Sequence, residues 1–150
     1  MRRIAFVLAL CLSAGQAVAL SCKPPTVQEA FAFAHEAAEE YVPVLGRFEG
    51  TVPRSEKAPK VDQRYQARFV GVGLTRRGVE IPIDVSVDVH EQCIASWCPS
   101  LPSDMELLTF LRRDGAQHFF DIDACWSSAF LQPTTAQVEQ MQTCLKHLAC

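Results

Sequence analysis

The chain has 150 residues, about half of them apolar (49%), with 14 Lys+Arg against 17 Asp+Glu and a formal net charge of −3. That length suits one hydrophobic core. The acidic balance argues against a basic footprint for nucleic acid and against a cationic face for anionic lipid.

Met1-Arg2-Arg3, the apolar run Ile4–Leu12 and the small-x-small ending Ala17-Val18-Ala19 read as a secretory signal. The run falls short of the roughly 20 apolar residues that span a bilayer. Leu10 is too large to precede a lipidated cysteine at Cys11. Cleavage after Ala19 leaves residues 20–150 as a single secreted or periplasmic domain with no transmembrane segment. Arg2 and Arg3 leave with the signal, so 12 Lys+Arg face 17 Asp+Glu and the net charge becomes −5. Cys11 leaves too. Cys22, Cys93, Cys98, Cys125, Cys144 and Cys150 remain, an even set that implies a disulfide framework in an exported chain. Their spacing leaves all fifteen connectivities open. None of it is the Cys-x-x-Cys of a zinc or redox site.

The first predicted element is a helix over residues 26–40. Thr26 and Glu29 have capping-box spacing, and Val27, Ala30, Phe31, Ala34 and Ala38 recur on one side. A strand follows at Tyr41–Glu49, then a long polar loop at Thr51–Asp62. Tyr65, Ala67 and Phe69 alternate with Arg64, Gln66 and Arg68 in the next strand, which Gly71-Val72-Gly73 should bend or bulge. Thr75-Arg76-Arg77-Gly78 makes a turn. Ile81, Ile83, Val85, Val87 and Val89 then alternate with Pro82, Asp84, Ser86, Asp88 and His90, a strand with one dry and one wet face. Glu106–Arg112 and Gln117–Asp123 are joined across Asp114-Gly115. A last helix opens at Thr134, capped by Gln137, and carries Val138, Met141, Leu145 and Leu148 on its apolar side, with the Met as core filler. Five strands framed by two helices suggest a mainly β fold, a small closed barrel.

Some short motifs recur in a telling order. Cys22-Lys23-Pro24-Pro25 runs into a helix with Ala30-Phe31. Gly46-Arg47-Phe48-Glu49-Gly50 ends the first strand. Leu107–Leu111 leads to Cys125, and Thr134-Thr135-Ala136-Gln137 opens a helix closing on Cys150. In that order the chain resembles the netrin-like domain, most closely the N-terminal domain of the tissue inhibitors of metalloproteinases. The resemblance covers nearly all of residues 20–150. It implies an OB-like five-stranded barrel with an N-terminal and a C-terminal helix, and a disulfide between Cys22 and Cys125. The inhibitors carry a cysteine as first mature residue, whose amine and carbonyl chelate the protease zinc. Leu20 stands there in this chain, and a further family cysteine falls at Ala32. The remaining cysteines are therefore expected to pair locally, Cys93 with Cys98 and Cys144 with Cys150, and inhibition by the family mechanism is not expected.

Candidate chemistry is sparse. His35-Glu36-Ala37-Ala38-Glu39 lacks the second His of a zinc-protease helix, so it reads as a solvated face. Asp84, Asp88 and His90 share one strand face and could bind a cation, as could Asp121 and Asp123. Ser127 and Ser128 sit in no nucleophile elbow. Trp97 and Trp126, each beside a cysteine, are expected to pack over disulfides, and His147 to be exposed or near a bridge. The expectation is an exported, non-catalytic binding or interaction module without metal or cofactor, its partner an unidentified protein or envelope ligand. The alternatives are an envelope metal-dependent hydrolase using the Asp84/Asp88/His90 face, and a protease inhibitor acting by other contacts. Convergence of His90 and the aspartates in a deep pocket would mark the enzyme; an exposed apolar patch would mark the binder. N-terminal sequencing of the exported protein should begin at Leu20; a mature protein that keeps Cys11 would overturn the cleavage and the six-cysteine reading together.

Overall fold

In the computed structural model, residues 22–50 and 61–150 are described. The expected export signal at residues 1–19 and all but the last two residues of the expected 51–62 loop lie outside them. Helix α1 runs Val27–Glu36 behind Thr26, whose side chain accepts from the Glu29 N–H while the Glu29 carboxylate accepts from the Thr26 N–H. Lys23 reaches the same carboxylate at 2.5 Å. Lys23 first, then Thr26, lowers the Glu29 pKa from its ordinary 4.5 to about 2. A depressed carboxylate contributes its full stability above 4.5 and loses it as pH falls through about 2. The helix stops four residues earlier than its apolar period suggests. Ala37 is already extended, because Glu40 must pair with Arg113 in the sheet.

Six strands follow: β1 (Glu40–Glu49), β2 (Gln63–Leu74), β3 (Glu80–Gln92), β4 (Leu107–Asp114), β5 (Gln117–Asp123) and the two-residue β6 (Phe130–Leu131); helix α2 (Thr135–His147) ends the set. The sheet order is β1-β2-β3-β5-β4, and β4 returns to pair with β1. This is a closed five-stranded OB-like barrel with one helix before it and one after. Among the described strands only β3 and β5 pair in parallel. The short β6, which has no period to read in sequence, adds to β4 at Leu107 and Leu108.

Glycine shapes the wall by what it lacks. Gly46 of β1 and Gly71 of β2 face each other in register, and a Cβ on Gly46 would lie 2.7 Å from the Gly71 Cα. Of the bend or bulge expected at Gly71-Val72-Gly73, the bulge is absent. The β2–β3 ladder runs unbroken from Gln63↔Glu91 to Leu74↔Glu80, so these glycines serve close strand approach, not a register change. At the far end Gly78 takes φ +73 and donates to the Thr75 carbonyl, forming the expected turn.

The core has two compartments separated by β4. Inside the barrel, Phe48 meets Phe69 edge-on at 5.1 Å and stacks on Phe120 at 5.2 Å. Outside it, Phe31, Leu108, Phe110, Phe130, Met141 and Leu145 fill the space between barrel and helices. Leu107–Leu111 is apolar almost throughout because both of its faces are covered. Its one hydroxyl, Thr109, is fully buried and donates to the Ser128 carbonyl. Leu148 leaves the apolar set expected of α2. It caps the helix in the left-handed region at φ 53 and is 40% exposed.

Three disulfides join Cys22 to Cys125, Cys93 to Cys98 and Cys144 to Cys150, with Cα separations of 5.2, 4.2 and 4.5 Å. The third is possible because α2 ends at His147 and Leu148 turns the chain back. The first ties the segment before α1 to the end of β5 across 103 residues. In the chain-entropy model that closure contributes about 4–5 kcal/mol, against about 2 kcal/mol for the shortest loops. Cys22→Ala should therefore lower stability in urea by more than Cys93→Ala. Gly71→Ala should cost about 1–3 kcal/mol or more by forcing β1 and β2 apart. Urea midpoints of the three variants check both statements.

Candidate functional site

Alternation along β3 turns Val87 and Val89 into the barrel and leaves Asp84, Asp88 and His90 outside. The dry face stops short of its predicted start, since Ile81 lies beyond the barrel at the hairpin end and is 54% exposed. Register sets the neighbours of the wet face. Gln66 of β2 and Phe119 of β5 flank Asp88, while Arg64 and Asp121 flank His90.

Each of the three polar residues is engaged separately. Arg68 grips Asp84 with two bonds of 2.8 and 2.6 Å and lowers its pKa. Gln66 donates to Asp88 at 3.1 Å. His90 sits between two carboxylates, with Nδ1 3.2 Å from Asp121 and Nε2 3.8 Å from Asp62. Asp84 and Asp88 are four residues apart on one strand, roughly 13 Å, too far to share an ion. Among the described residues no three His, Cys, Asp or Glu side chains are placed to hold a metal. Asp121 joins His90, while Asp123 turns to the chain and accepts from the Cys125 N–H at 2.7 Å. His35 stacks on Phe31, and His147 is exposed.

The concave surface lies beside this row. β4 and β5 pair only through Arg112–Asp114 and Gln117–Phe119, so β5 runs on to Asp123 without β4 along its other edge. A cavity of about 290 Å³ sits at this seam, walled by Phe33, Tyr41, Phe110 and Phe119, with Gln92 and Ser127 among its polar groups. Phe33 projects from α1, is 57% exposed and meets Tyr41 edge-on at 5.6 Å. Burial, then the Asp121 and Glu39 carboxylates, raise the Tyr41 pKa, so its hydroxyl stays a neutral donor. Phe119 and Asp121 also line a second hollow of about 420 Å³ that reaches Asp88, His90, Arg64 and Gln66. The two hollows adjoin at Phe119 and Asp121 and together make up the groove of the β3–β5 face. Between them Arg112 lies 4.2 Å over the Phe119 ring and 3.6 Å from Asp121.

Sequence reading reached His90, Asp88, Asp121 and the two serines, but missed the aromatic wall. A signal existed. Phe33 lies off the α1 stripe, and Phe119 occupies a wet position of β5 next to the buried Phe120. Trp97 corrects a second expectation. It is 61% exposed, held opposite Ile94 inside the Cys93–Cys98 loop, because a loop of six residues leaves no surface for it to cover. Trp126 packs against the barrel core.

No protein-family model, curated protein or solved structure matches the chain. Among the described residues no helix is long and apolar enough to cross a membrane.

Proposed function

We propose that this chain is an exported, netrin-like binding module that holds an extended segment of a partner protein in the β3–β5 groove. The observation that carries this reading is the seam. A two-residue turn separates Asp114 from Gln117, so the flanking pair exchanges main-chain bonds and parity turns the Asp121 N–H and C=O toward the uncovered edge. An unpaired edge beside an aromatic cavity suits strand addition, with main-chain bonds giving affinity and the cavity taking an apolar side chain. Three disulfides and the N-terminal signal support an oxidising, exported setting. Catalysis finds less support, because the Asp84, Asp88 and His90 side chains are spread along a strand and committed to different partners.

Titration of isotope-labelled protein with a pool of synthetic apolar decapeptides tests the reading. Amide shifts should concentrate at Phe33, Tyr41 and Phe119–Asp123. Phe119→Ser should weaken binding about tenfold or more, as the loss of an aromatic anchor does. Shifts confined to another face, or cleavage of the peptides, would overturn it.

A further inference from the structure

A chain with an acidic excess nevertheless gathers unpaired cations at one place. Lys23, Arg47, Arg68, Arg112 and Arg113 each hold a carboxylate. Of the other described Lys and Arg residues, Arg64 lies in the groove and has no carboxylate partner; Arg76, Arg77 and Lys146 likewise have none and stand together. The fold assembles that cluster. Arg76 and Arg77 occupy the β2–β3 turn, Lys146 lies in the last turn of α2, and all three line one shallow hollow of about 350 Å³. This corrects the inference from net charge that the chain has no cationic face. A sum over the chain is blind to positions seventy residues apart that folding brings together.

The same turn carries apolar surface. Val79 and Ile81 are 57% and 54% exposed, and they line a second hollow with Arg76 and Arg77. Glu80, three residues after Arg77, and Glu139, two turns before Lys146 on α2, pair with none of these cations. Ile81 lies seven residues from Asp88 along β3, roughly 23 Å, so this surface is separate from the groove.

We infer that the β2–β3 turn and the end of α2 form a docking surface for an anionic phospholipid bilayer. Charge complementarity selects an anionic partner, since three cations with no internal counter-charge lower their energy near headgroup phosphates. The exposed Val79 and Ile81 favour a bilayer over a polyanion. A bilayer offers acyl surface beneath its headgroups, whereas a polyanion leaves both side chains in water. Three cations and two aliphatic side chains make attachment weak and reversible, which suits a module whose groove serves another partner. The inference does not depend on what the groove binds.

Flotation of the exported, disulfide-intact protein with vesicles tests it. The protein should bind phosphatidylcholine vesicles containing phosphatidylglycerol, not vesicles of phosphatidylcholine alone, and raised salt should release it. Arg76→Gln, Arg77→Gln and Lys146→Gln should each weaken binding about fivefold. Val79→Ser with Ile81→Ser should weaken it at unchanged charge. All five positions are exposed, and near-ultraviolet circular dichroism verifies that each variant is folded. Absence of binding by the wild-type protein would overturn the inference. So would binding that is indifferent to Val79→Ser with Ile81→Ser and fully displaced by dextran sulfate, which identifies a polyanion site.

Discussion

Strand β1 pairs on both sides at once. Val44, Leu45 and Gly46 face β4 in one ladder and β2 in the other. An open sheet has two edges that need protection; a strand shared in this way removes them by closure. Closure demands strong curvature, and the Gly46–Gly71 contact supplies it, because two opposed residues without Cβ atoms let the backbones approach where larger side chains would hold them apart. The rest of the molecule inherits that bend. It brings Phe48 against Phe69 and Phe120, and it sets the outer face of β4 under both helices.

Closure also explains the seam. β4 is engaged by β1 along Leu107–Arg113 and by β6 at its start, and it meets β5 only near their shared turn. β5 meanwhile follows β3 in parallel to Asp123. The two strands therefore diverge, and the cavity left between them is lined by Phe33 of α1, by Ser127 and Ser128 and by the rest of the aromatic wall. The Cys22–Cys125 disulfide sits at the open end of that wedge. It fixes the start of α1 against the end of β5 and so holds Phe33 above Tyr41.

What was legible in the sequence was periodic or local. The alternation of β3, both capping boxes and the turn at Thr75–Gly78 each depend on residues within a few positions of one another, and each stands where it was read except that the dry face of β3 begins after Ile81. The end of α1 was not legible, because Ala37 and Ala38 suit a helix and only pairing of Glu40 with Arg113 draws the chain out of it. The sequence left bend and bulge open at Gly71, because the need for close approach lies in β1, twenty-five residues away. The groove escaped for the same reason. Phe33, Tyr41 and Phe119 belong to three elements and share no period, so nothing short of the fold places them together.

Strand geometry also weighs on what the wet face can do. Side chains two residues apart on one strand stand about 6.6 Å apart, and those four apart about 13 Å. A row of that kind presents a line of groups, while acid–base or metal chemistry needs groups that meet at a point. Convergence must come from neighbouring strands, and here those neighbours bring compensating partners: Arg68 to Asp84, Gln66 to Asp88, Asp121 to His90. Each pairing satisfies a charge or a hydrogen-bonding group and leaves it less available to a reacting substrate. The aromatic hollow differs in kind: Phe33, Tyr41 and Phe119 come from three elements and do meet around one cavity, where the polar row only lies alongside.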